Sequence, residues 1–289
     1  MILNHFWKCP DATKVWDLKT LIRREDTDVV TLPEYFKNSG YFVTGIGKIY
    51  DPRTVDKQTD ELSWSESFMN YEKYLDPVHG KPANAQYQLK ETKQLIRKFT
   101  KEAKESGLVK GREIAAYVQQ RIKPATESAD VPDDAYADGA IAKGAIEFLN
   151  GYKGDQPFFL AVGFKKPHLP FCAPKVYWDK YKRSDMPLAE FTSQAKNSPS
   201  FVYHNSGELR SYTDIPSLES FTDAADWKVS PDKSRQLIHG YYASISYIDA
   251  QVGKVIEALQ ANGLDKNTII VLWGDHGWHL GDHGLWNKH

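Results

Sequence analysis

Hydrophobic positions along this chain follow two periods, and each period predicts an element. A helix followed by a strand is expected over residues 31 to 46. Thr31 can cap the helix, Pro33 fits its first turn and Gly40 stops it. Tyr41-Phe42-Val43-Thr44-Gly45-Ile46 then reads as a buried strand running into Gly47-Lys48. Asp133 or Asp134 can cap a helix through about Leu149, with Ala137, Ile141, Ala145 and Phe148 on one face. The near-continuous apolar run Pro157 to Phe164 suits a strand covered on both faces, as in a parallel sheet. Lys165 to Pro174 reads as a loop, and a short helix carries Tyr177 and Trp178. The strongest helix is expected from about Asp232 to Asn262. Ile238, Tyr241, Ile245, Ile248, Val252, Val255 and Leu259 form its apolar stripe, and Gly263 ends it. Thr268 to Trp273 is read as one more buried strand, delivering Gly274-Asp275-His276-Gly277.

Repeated helix–strand units of this kind predict an α/β fold with a mostly parallel central sheet flanked by helices. Residues 86 to 123, rich in Lys, Glu and Gln, are expected as solvated surface helices forming an insertion. A polar loop with Pro124 and Pro132 follows them, and residues 184 to 231 are expected as an irregular surface excursion. The whole of 1–289 is read as one partial domain. Ligand sites in such sheets form beyond the carboxyl ends of strands. Lys48, His168 and Asp275-His276 each follow a predicted strand, so they are expected to converge at one rim.

Composition narrows the partners. The 37 basic and 38 acidic side chains leave a net charge of −1, which supplies no general attraction for nucleic acid or an anionic membrane. No apolar run approaches the about 20 residues of a membrane helix, and the first residues do not read as a secretory signal. Cys9 and Cys172 alone make no disulfide framework.

The densest chemistry lies in Gly274 to Gly284, where Asp275, His276, His279, Asp282 and His283 fall within eleven residues. An adjacent carboxylate and imidazole at a strand end can reach one divalent cation. The same residues equally suit a polar loop bonded locally, or a zinc-like cluster of His276, His279 and His283. Lys165-Lys166-Pro167-His168-Leu169-Pro170 can bind an anion and donate a proton, or form a solvated basic loop. Lys48 and Lys288 say little singly.

Together these segments resemble the sulfatase family, and within it the iduronate-2-sulfatase-like group. The resemblance rests on Gly274 to Lys288, Phe158 to Pro170, Tyr242 to Asp249, Gly45-Ile46-Gly47-Lys48 and Val15-Trp16-Asp17-Leu18, all in family order. It implies an alkaline phosphatase-like fold and hydrolysis of sulfate esters on a sulfated sugar or glycosaminoglycan. In the family a formylglycine, made from the cysteine of Cys-x-Pro-x-Arg, attacks the sulfur while calcium holds the reacting oxygens. The resemblance makes Asp275 and His276 metal ligands. It makes Lys48, His168 and Lys288 catalytic, with His168 at the leaving-group oxygen, and it points to Lys166, Asp51 and His283 as substrate contacts. Asp51 stands where some relatives have a histidine.

The chain departs from the pattern in two respects. No Cys-x-Pro-x-Arg occurs, since Cys9 runs directly into Pro10, and Cys172-Ala173-Pro174-Lys175 is followed by Val176. Cys172 is accordingly expected as a packing residue. The paired aspartates that complete the family's metal shell have no counterpart either. We therefore expect a chain truncated at both ends relative to the family, without turnover of its own and without the C-terminal subdomain. Two other readings stay open: a non-catalytic binder of sulfated glycan, and a phosphatase or phosphodiesterase of the same superfamily. Relatives are typically periplasmic, secreted or lysosomal, which leaves this chain's compartment unknown.

Overall fold

A computed structural model describes residues 28–50, 60–199, 202–203, 206–217 and 228–288. The expectations on Val15-Trp16-Asp17-Leu18, Cys9 and Asp51 lie outside the described residues. Helix α1 (Leu32–Asn38) starts where expected, with Thr31 and Glu34 closing a reciprocal capping box and Pro33 in the first turn. Gly40 turns the chain at φ +87 into strand β1 (Phe42–Gly47).

Helices α2 (Lys90–Glu105) and α3 (Gly111–Gln119) occupy the charged stretch. Their outer faces are solvated as expected. Ile96 and Val118, however, are buried in the same cluster as Tyr87, Cys172, Trp178 and Tyr247. Amphipathic helices with a narrow apolar stripe look like surface helices by composition alone, yet that stripe still needs a core to cover it.

Strand β2 (Thr126–Ala129) lies between Pro124 and Pro132, where the sequence pattern predicts a loop. It pairs in parallel with β4 (Phe171–Pro174), which lies within the second stretch read as a loop. Both are four residues long, too short for an alternating pattern to register. Helix α4 (Ala137–Gly151) begins after a 3-10 turn at Asp133–Ala135, later than the expected cap. Asp133 is otherwise engaged: its carboxylate accepts from Tyr177, Gln251 and Lys254, and its carbonyl accepts from Tyr247.

Strand β3 (Phe158–Gly163) pairs with β1 in parallel, from Phe42 opposite Phe158 to Gly47 opposite Gly163. Ile141 and Ala145 of α4 cover one face against Ile46, while Trp64 and Phe68 cover Val43 on the other. A short α5 (Lys175–Trp178) follows β4, and α6 (Gly207–Arg210) is a single turn within the irregular excursion. The long helix α7 (Pro231–Ala261) lies on α4, and Gly263 closes it at φ +69. Its buried face is rotated from the expected stripe. Leu237, Ile238, Ala243, Tyr247 and Gln251 are inside, whereas Ile245 is 44% exposed. The Tyr247 hydroxyl selects this face by accepting from the Gly139 N–H at 2.6 Å and donating to the Asp133 carbonyl at 2.8 Å.

One expected strand does not form. Ile269 to Trp273 pairs with nothing among the described residues, and its five side chains are 91, 53, 68, 75 and 71% exposed. The apolar pattern records a preference for burial, but a strand also needs a neighbouring edge in register. No described helix is long and apolar enough to cross a membrane.

Two outcomes follow from these contacts. An apolar run this exposed promotes association. Ile270→Lys with Leu272→Lys should therefore shift the chain toward monomer in size-exclusion chromatography and lower its binding of an apolar dye. Gly163→Ala would drive a Cβ into the Lys48 carbonyl at the end of the β1–β3 pair. It should lower stability by about 1–3 kcal/mol in denaturant titration.

Candidate functional site

The site grows out of the loop after β3. Asp138, in the first turn of α4 and fully enclosed, accepts from the Lys165 N–H at 2.7 Å and the Lys166 N–H at 3.2 Å. The Lys166 ammonium turns inward. It donates to the His168 carbonyl at 3.0 Å, the Pro170 carbonyl at 2.5 Å and Gln86 Oε1 at 3.1 Å. Burial pushes the Asp138 carboxyl up and the Lys166 ammonium down. Three N–H groups meeting three acceptors nevertheless match the charged lysine, since a buried ammonium is tolerable only when its protons are bonded.

This clamp presents His168. Its Nδ1 lies 2.7 Å from the Leu169 carbonyl. A carbonyl can only accept, so Nδ1 carries a proton and Nε2 faces outward. Lys288 Nζ donates to Nε2 at 3.1 Å and to Glu208 Oε2 at 2.7 Å, while Glu208 Oε1 lies 3.2 Å from the same Nε2. The three groups form a closed triangle. Burial lowers the His168 pKa below its ordinary value, and the cations Lys288 and Lys166 lower it further, against the Leu169 carbonyl and Glu208, which raise it.

Each corner of the triangle is anchored by an apolar neighbour in one cluster. Leu169 and Phe171 flank the His168 loop, Leu209 follows Glu208, and Trp286 precedes Lys288 by two residues; all four are buried together with Leu237. Trp278 leans on the same cluster. Its ring centroid is 5.8 Å from that of His168 and 6.4 Å from that of His276, and Lys288 Nζ sits 4.9 Å from its face. The late segment thus reaches the His168 loop through one indole.

The other expected residues stand as follows. His276 is one ring away from the triangle, and its Nε2 lies 3.5 Å from Asp275 Oδ2. Lys48 is at the rim through its backbone, its N–H donating to the Gly163 carbonyl at 2.7 Å, but its exposed ammonium joins none of these groups among the described residues. Lys166, expected at the substrate, is a buried clamp. His283, also expected there, stacks on Phe191, and its Nδ1 lies 3.1 Å from the Ser193 carbonyl, so it fastens the excursion. Cys172 is fully buried on β4, with its thiol pushed upward by burial. Two hollows, of about 770 Å³ beside Arg183 and Lys233 and about 240 Å³ beside Tyr242 and His279, have neither His168 nor Lys288 in their walls.

Asp275 and His276 offer the donor types a divalent cation takes. No group of three His, Cys, Asp or Glu gathers among the described residues, so these two do not by themselves make a metal shell. Glu208 and Trp278 are site residues that the sequence pattern does not single out. Glu208 lies in a stretch without periodicity, and only its neighbour Leu209 hints at a buried anchor.

Two parallel strand pairs covered by helices, with His168, Lys288 and Glu208 meeting beyond them, make this an α/β fold with its polar group at the loops after its strands. Consistent with this, the chain aligns over 91% of its length with the phosphonate monoester hydrolase of Agrobacterium radiobacter, at a TM-score of 0.51, 20% identity and 50% of that chain. The sulfatase family model matches residues 14–289, and this chain belongs to that family. It is 31% identical to mouse iduronate 2-sulfatase and 30% identical to the human enzyme, each over 281 residues covering 97% of this chain and 46% of the relative. The chain therefore spans about half the length of these curated relatives.

The depressed His168 pKa has a defined consequence. The native ring resists a proton that the unfolded chain accepts near 6.5. Its contribution to stability is therefore complete above pH 6.5 and is lost as pH falls from there toward the native pKa. Histidine-selective NMR should show the His168 midpoint below 6.5, and Lys166→Met should move that midpoint upward.

Proposed function

We propose that this chain carries the anion-binding and proton-donating part of a sulfuric ester hydrolase acting on a sulfated sugar, of the iduronate-2-sulfatase-like kind. The observation that carries this reading is the contact of Lys288 Nζ with His168 Nε2 at 3.1 Å. A fixed ammonium neutralises charge on a sulfate oxygen, while the outer nitrogen of the imidazole, once it has taken a proton, can pass it to the departing alcohol oxygen. The Nδ1–Leu169 bond fixes which nitrogen does so. Trp278 supplies a flat apolar wall on which a sugar ring can stack. Lys48 directly follows β1, the strand paired with β3 ahead of the His168 loop, and is the further cation that a sulfated substrate would meet.

In the family a divalent cation, calcium in this reading, polarises the sulfate oxygens when bound. Asp275 and His276 are the residues of this chain that would hold it, and the described residues do not complete its shell. The 289 residues also contain no Cys-x-Pro-x-Arg, and we expect this chain to bind sulfated sugar without releasing sulfate.

Titration with a sulfated uronate disaccharide tests the reading. Binding should weaken about tenfold or more in Lys288→Met and in His168→Ala, and should weaken with added salt. Equal affinity for the desulfated disaccharide would overturn it. Sulfate release by the pure chain, lost in His168→Ala, would overturn the expectation of binding without turnover.

A further inference from the structure

Glu208 takes no part in the proton transfer, yet it makes the shortest contact in the triangle. We propose that its carboxylate is an internal anion occupying the place that the substrate's sulfate group takes, so that the site loads by exchanging one for the other. The proposal rests on reading His168 and Lys288 as the anion site.

Three observations carry it. First, the two oxygens of Glu208 are divided between the two groups a sulfate would need, Oε2 to Lys288 Nζ at 2.7 Å and Oε1 to His168 Nε2 at 3.2 Å. A pair of oxygens on a tetrahedral oxyanion can take the same two places, accepting from the Lys288 ammonium and from Nε2 whenever that nitrogen is protonated. Second, the side chain can leave without moving the backbone. Leu209 is buried, and the buried Asn287, when its amide is assigned with the oxygen toward them, accepts from the N–H groups of Glu208 at 3.1 Å and Leu209 at 3.3 Å. The Glu208 side chain is still 30% exposed, so rotation about its own bonds carries the carboxylate into solvent. Third, the charge balance requires an occupant. The Lys288 side chain is only 15% exposed, and without Glu208 its ammonium would face an imidazole and the ring of Trp278 with no counter-charge. A neutral sugar cannot replace the carboxylate in that balance, whereas a sulfated one can. Glu208 would thereby set specificity as well as keep the empty site neutral.

The test is sulfate affinity of the pure chain at constant ionic strength, by calorimetry and by NMR of the His168 ring, in wild type, Glu208→Gln and Lys288→Met. Glu208→Gln should bind inorganic sulfate about tenfold more tightly than wild type, because the competing charge-assisted bond is gone. In wild type, the Glu208 side-chain carboxyl carbon signal should move with the same midpoint as the His168 ring. If Glu208→Gln binds sulfate equally or more weakly while Lys288→Met still abolishes binding, Glu208 orients Lys288 and the exchange is wrong, with the anion site intact. A wild-type carboxyl signal unmoved by bound sulfate likewise excludes the exchange, even if Glu208→Gln fails to fold. Affinity indifferent to Lys288→Met and His168→Ala would overturn the anion site itself, and this proposal with it.

Discussion

The buried pairing of Asp138 with the chain at Lys165 and Lys166 is the constraint from which the site follows. Two backbone N–H groups bind its carboxylate, and the Lys166 ammonium bonds onward to the carbonyls of His168 and Pro170. Bonds of this charge-assisted kind contribute about 1.5–3 kcal/mol each, and losing one partner leaves a buried charge exposed to its full desolvation cost. The loop after β3 therefore has one low-energy shape. That shape aims His168 outward, and Lys288 can meet it only because Trp286 and Trp278 anchor the late segment on the same apolar cluster.

The same kind of anchoring recurs at every polar corner. His168, Glu208 and Lys288 are each within two residues of a buried apolar side chain. The cluster around Phe171 and Leu237 fixes three backbones far apart in sequence, and the polar groups then find one another over the last few ångströms. This explains how α6, a single turn in an otherwise irregular stretch, places a carboxylate accurately: Leu209 and the Asn287 amide hold its backbone.

The late segment shows the limit of such anchoring. Trp278 and Trp286 are held, whereas Ile269 to Trp273, just upstream, is exposed along its length. Asp275 and His276 sit between these two regimes, adjacent to each other and one indole from the triangle, without a third ligand among the described residues. Family membership is shown over residues 14–289, while the chain spans about half of its curated relatives. The arrangement of the described residues brings His168, Lys288 and Glu208 together at one place, and the proposed anion site rests on that contact.

From the sequence alone one could read the parallel α/β pattern, the starts and stops of α1 and α7, the packing role of Cys172 and the approach of Lys288 to His168. These are set locally, by caps, glycines with positive φ and long apolar periods, or by motif order along the chain. Tertiary structure alone decided that Lys166 is a clamp, that His283 fastens the excursion, that α7 turns Ile245 outward, that β2 and β4 pair, and that Glu208 completes the triangle. Each of those depends on a partner far away along the chain, and neither hydrophobic period nor residue type encodes which distant backbone will supply the matching donor or edge.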